Sequence, residues 1–199
     1  EAARARTGPG CVEIGAGPDG RPRARRSRDC VVDLSAIAKG HGVDRVFERL
    51  TSQGLRDLLV EIGGELRVRG RNASGEPWRV GVEIPEPLPK RRARRVLPLR
   101  DVAVATSGDY RNFFELDGVR YSHTIDPRTG RPVRHELASV TVLHPDGTMA
   151  ADAWATALNV LSDRGEAEDT VQDAFVAAFE ALGSLRRDDG GEGHGVRRG

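Results

Sequence analysis

Strand-like and helix-like stretches follow one another without regular strand–helix–strand alternation, so the sequence predicts an α+β fold with mixed sheets flanked by helices. Two patterns carry the prediction. Trp78, Val80, Val82 and Ile84 alternate with Arg79, Gly81 and Glu83, the period of a half-buried strand. Val43, Val46, Phe47 and Leu50 recur instead at the helical period, as do Val171, Ala174, Phe175, Ala178 and Leu182. No internal repeat is visible. At 199 residues the chain is sized for one substantial domain.

Read in order, residues 1–10 form a frayed lead-in, 11–183 the domain, and 184–199 a Gly- and charge-rich disordered tail. Glu1 opens the chain with a segment that reads like the tail of a helix, so a fragment is one reading. Cys11 to Ile14 is a short strand, and Gly15 to Gly20 a turn. Basic residues then lead to Cys30-Val31-Val32, a tight turn over Ser35 to Gly40, and a helix stopped near Gln53-Gly54. Leu58 to Ile62 is extended and breaks at Gly63-Gly64, a bulge or a close backbone approach. Leu66 to Arg69 resumes the strand; the Trp78 strand ends at Pro85. Val96 to Leu99, Val102 to Ala105, Tyr121 to Ile125 and Val140 to Leu143 are also extended, and Asp126 to Pro132 is a dense turn. Helices over Ala150 to Leu161 and over 166–182 complete the domain.

Composition narrows the function classes. With 31 basic and 30 acidic residues the net charge is +1, so no global field favours nucleic acid. The local basic runs, Arg21 to Arg28 and Lys90 to Arg95, lack interleaved aromatics and read as solvated loops. No stretch approaches the roughly 18 apolar residues of a membrane span. Cys11 and Cys30 have no zinc-type spacing and leave both a disulfide and two ordinary thiols open.

Lys39 is one of only two lysines, and it stands where the first helix should begin. Unpaired N–H groups there, with an ammonium beside them, suit an anion such as phosphate; the plainer reading is an N-cap by Ser35 with a surface lysine. Asp152 and Thr156 lie four apart on one helix face, a carboxylate and a hydroxyl suited to Mg²⁺. Equally, Asp152 can favour its own helix start while Thr156 packs. His123, before a Pro/Gly turn, is placed for general-base work or for a loop hydrogen bond.

Five blocks, in order, extend these hints: Asp33 to Gly40 with Val43-Asp44-Arg45; Glu61-Ile62-Gly63-Gly64-Glu65; Thr106 to Arg111; Tyr121 to Pro132; and Ala151 to Leu158. Together they resemble the FAD:protein FMN transferases, the ApbE-like flavin transferase family, over about residues 11–183. The resemblance implies a single ApbE-like domain, N-terminally incomplete. It implies a transferase that uses FAD and Mg²⁺ to place FMN on a threonine or serine hydroxyl of an acceptor flavoprotein subunit, forming a phosphoester and releasing AMP. The alternatives are Mg²⁺-dependent hydrolysis of FAD to FMN and AMP, or a non-catalytic flavin-binding module. By the same likeness Asp33, Lys39 and Ile125 contact FAD, the Ala36 carbonyl, Asp152 and Thr156 hold Mg²⁺, and His123 activates the acceptor hydroxyl. Ala155 stands where some relatives carry a second aspartate. The likeness points to an extracytoplasmic or membrane-attached setting and leaves the cytoplasm open.

Overall fold

The structure is a computed structural model that describes residues 11–84, 93–108, 113–126, 129–133 and 137–161. The expected lead-in, the helix over 166–182 and the tail lie outside the described residues. The described chain falls into two compact units, divided between Val32 and Asp33.

The first unit contains strands β1 (Val12–Ala16) and β2 (Pro22–Arg26), paired as an antiparallel hairpin. The basic run read as a solvated loop is therefore partly a strand. Facing acids explain why: Arg25 pairs with Glu13, opposite it in register, and Arg23 with Asp19 in the turn. Cys11 and Cys30 are buried free thiols, with Cys30 Sγ donating to the Cys11 carbonyl at 3.4 Å.

The second unit opens with helix α1 (Ala38–Ser52), then β3 (Leu58–Ile62), β4 (Glu65–Arg69), β5 (Trp78–Glu83), β6 (Ala93–Leu99) and β7 (Val102–Gly108). There follow β8 (Phe113–Leu116), β9 (Val119–Ser122), β10 (Ile125–Asp126), β11 (Arg131–Pro132), β12 (Ser139–His144) and helix α2 (Thr148–Leu161). An antiparallel sheet in the order β12-β7-β4-β3 forms the centre, while β5–β6, β8–β9 and β10–β11 are separate hairpins. Ala93 and Arg95 belong to β6, so the second basic run is also partly strand.

Alternation along the strands sorts the core into layers. Ala103 and Ala105 turn one way and pack against Ala151 and Ala155 of α2. Val104 and Val102 turn the other way, joining Leu66, Val68, Leu97, Leu99, Trp78 and Val80. Small side chains on both sides let α2 lie close on the sheet. Val43 and Phe47 of α1 pack on Leu58 and Val60. Truncating Phe47 to alanine would cost roughly 3–5 kcal/mol.

The glycine pair after Ile62 is a tight hairpin turn rather than a bulge. Ile62 and Glu65 are register partners, and Gly63 and Gly64 have φ of 61° and 106°. Positive φ at both central residues is the turn that matches strand twist. Asp117-Gly118 makes the same kind of turn between β8 and β9, with φ of 52° and 73°.

The two helices cap one another. Asp44 of α1 accepts the Thr148 and Met149 N–H groups, each at 2.9 Å, at the start of α2. Asp152 of α2 accepts the Gly40 N–H at 3.0 Å, at the start of α1. Each carboxylate thus meets the positive end of the other helix. Arg67 ties Asp44 down, with Nη1 2.9 Å from Oδ1 and its guanidinium 4.5 Å above the Phe47 ring. The helices cross at Gly40, where an added Cβ would lie 2.4 Å from the Thr148 carbonyl oxygen. Among the described residues, no helix is long and apolar enough to cross a membrane.

Candidate active site

A cavity of about 940 Å³ opens at the sheet end formed by the Gly63-Gly64 turn and the last residues of β7. Its walls combine the α1 entry (Ser35, Ala36, Lys39), α2 (Asp152, Thr156), and His123 with Thr124 after β9. Lys39 and Asp152, 113 positions apart in the chain, therefore share one chamber. Helix geometry accounts for the Asp152 and Thr156 pair, since i and i+4 lie on one face. Ala155, between them, turns into the alanine cluster and does not line the cavity.

The start of α1 departs from the N-cap reading. Ile37 occupies the cap position without a side-chain bond, and Ser35 instead gives its N–H and hydroxyl to Asp33. Those two bonds hold the Asp33 carboxyl below the usual carboxylate range. With no side chain of its own at the cap, the first turn of α1 is met by Asp152 from the other helix. Lys39, in that first turn, sends its ammonium to Glu65 Oε1 at 2.6 Å. A Cβ on Gly63 would lie 3.5 Å from Lys39 Cδ, so the hairpin turn passes against the lysine stem.

Electrostatics mark Asp152. Burial pushes its carboxyl up to about 6; the Gly40 N–H opposes that rise, and the Glu65 charge adds to it more than Lys39 offsets. Glu65 is 1% exposed, with Oε2 buried and receiving no hydrogen bond. Arg79 adds a second cation to the walls, and Glu61 and Glu83 further acids. Among the described residues, no three His, Cys, Asp or Glu side chains cluster as a metal site.

Of the residues singled out from sequence, Ala36, Lys39, His123, Asp152 and Thr156 come together on the cavity wall. Asp33 and Ile125 do not line it. Asp33 is exposed two residues before Ser35, and Ile125, 48% exposed on β10, directly follows Thr124. Glu65 and Arg79 were not singled out from sequence. For Glu65 the signal was present: an acid directly after a glycine-pair turn, on the strand face that carries Arg67 toward α1.

Comparison with known proteins places the chain in a family. The ApbE family profile matches residues 1–178. The FAD:protein FMN transferase of Vibrio cholerae is 49% identical over 145 residues, 73% of this chain and 43% of that protein. The apo flavinyl transferase ApbE of Pseudomonas stutzeri superposes with a TM-score of 0.67 at 43% identity, covering 80% of this chain and 47% of that one. The ApbE protein of Thermotoga maritima gives a TM-score of 0.71 at 34% identity, covering 82% and 50%. The chain spans about half the length of these relatives or somewhat less. On the matched profile and these likenesses, the chain belongs to the ApbE family.

Proposed function

We propose that the protein transfers FMN from FAD to a threonine or serine hydroxyl of an acceptor protein, in a Mg²⁺-dependent reaction that releases AMP. The observation that carries this reading is the convergence of Lys39, Asp152, Thr156 and Ala36 on one cavity. Its volume, about 940 Å³, lies at the upper end of small-molecule sites.

The donor set fits magnesium. One carboxylate, one hydroxyl and one backbone carbonyl are hard oxygen ligands, and Mg²⁺ characteristically uses one or two carboxylates with substrate phosphates. Asp152 spends Oδ2 on Gly40, which fixes the side chain while Oδ1 remains for a ligand. Its raised pKa is that of a buried carboxylate without a full counter-charge. Ala36, Asp152 and Thr156 would hold the ion; when bound, it neutralises the diphosphate and polarises the phosphorus under attack.

The remaining roles fall to the chain. Lys39 holds the diphosphate from the helix start, where the dipole adds to its charge. His123 takes the proton of the acceptor hydroxyl as that oxygen bonds to phosphorus and the diphosphate P–O bond breaks, with AMP leaving. Asp33 and Ile125, beside wall residues in the chain, contact FAD beyond the rim.

The test is incubation of the full protein with FAD, Mg²⁺ and an acceptor domain, following covalent flavin fluorescence on the acceptor and AMP release. Labelling that requires all three components supports the proposal. AMP release that ignores the acceptor indicates hydrolysis, and FAD binding without turnover a binding module.

A further inference from the structure

We propose that Glu65 is a positioning residue that joins the Lys39 ammonium to the water shell of the divalent cation, so that both positive groups meet the diphosphate in fixed register. The inference rests on the magnesium reading above and goes beyond its ligand set. Glu65 is almost wholly buried, yet it forms part of the cavity wall. It is the first residue of β4, set by the Gly63-Gly64 turn, on the sheet face that meets the helices.

Its two oxygens are unequal. Oε1 receives Lys39 Nζ at 2.6 Å, whereas Oε2 is buried and receives nothing. A carboxylate oxygen stripped of water and left without a donor is costly, and native proteins rarely leave one so. Oε2 itself has almost no water-accessible area as it stands, so a small turn of the carboxyl toward the cavity that Glu65 and Asp152 both line would bring it to a donor. Glu65 is also close enough to Asp152 for its charge to act there. A hydrated cation on Asp152 and Thr156 would keep several waters, and a cation-bound water is a strong donor. One such water on Oε2 would complete Glu65 and orient the cation's shell, as outer-shell acceptors commonly do. Glu65 would then grip both cationic groups through separate oxygens.

The test titrates Mg²⁺ alone, without nucleotide, into the full chain by calorimetry. Wild type is compared with Glu65→Gln and Lys39→Met, and Asp152→Asn is the non-binding control. Glutamine preserves volume but cannot accept at both ends, so E65Q should lose about 10–100-fold in Mg²⁺ affinity. K39M should keep its affinity or gain, because a competing positive charge has gone. Should E65Q fail to fold, Glu65→Asp carries the same test, since the shortened carboxylate cannot reach both partners. E65Q binding within about twofold of wild type would overturn the proposal and leave Glu65 as a brace for Lys39 alone. So would E65Q weakening FAD binding without metal while leaving Mg²⁺ binding intact, which would assign Oε2 to a ligand hydroxyl. Wild type failing to bind Mg²⁺ would overturn the metal reading itself, and this inference with it.

Discussion

Replacing Asp152 with asparagine should stabilise the metal-free protein at neutral pH while removing its response to Mg²⁺. Burial raises the Asp152 carboxyl from 3.8 to about 6. The unfolded chain therefore ionises this group before the folded one does, and wild type loses stability as pH climbs through that window. The shift of roughly two units corresponds to about 3 kcal/mol, fully present above about pH 6 and absent below about pH 4. Asparagine carries no charge to desolvate, and its carbonyl can still accept the Gly40 N–H. Urea denaturation in chelator across about pH 4 to 8 should show the two proteins converging at the acid end. Above about pH 6, D152N should be the more stable by up to about 3 kcal/mol. Mg²⁺ should then raise wild-type stability and leave D152N unmoved. A variant less stable than wild type at pH 8, or a gap that ignores pH, would refute the reasoning.

Other outcomes follow from the same contacts. Gly40→Ala places a methyl 2.4 Å from the Thr148 carbonyl oxygen, where backbone must move; a loss of roughly 1–3 kcal/mol in urea is expected, together with weakened Mg²⁺ binding. Asp44→Ala strips the cap from α2 and leaves Arg67 without its carboxylate, so chemical denaturation should register a loss of roughly 2–4 kcal/mol, with Asp44→Asn losing less. His123→Ala should slow transfer to the acceptor by roughly 10²–10⁴ while FAD affinity, followed by flavin fluorescence quenching, changes little. If FAD affinity falls in step with the rate, His123 binds nucleotide rather than moving a proton.

Much of the fold was legible because period and turn chemistry are local. The Val43–Leu50 spacing, the alternation after Trp78, and the stop at Gly54 each became the element expected. What failed to show was the pairing that depends on distant residues. Pro22–Arg26 looks like loop until Glu13 faces Arg25 across the hairpin. The Phe113–Leu116 strand was missed although Asp117-Gly118 is a strong hairpin signal. At the site, the type and spacing of Asp152 and Thr156 were visible, and their meeting with Lys39 followed only from five blocks taken together. The reciprocal caps could not be read at all, since Asp44 and Thr148 lie 104 positions apart. Glu65 could be noticed by its place after the glycine pair, but its pairing with Lys39, 26 positions earlier, could not.

The most direct measurement is a crystal structure of the protein with FAD and Mn²⁺, the metal located by its anomalous signal. The account predicts one peak bonded to an Asp152 oxygen, the Thr156 hydroxyl, the Ala36 carbonyl and the diphosphate, with Lys39 Nζ on the same phosphates. A metal elsewhere, or a diphosphate out of reach of Lys39, would contradict it.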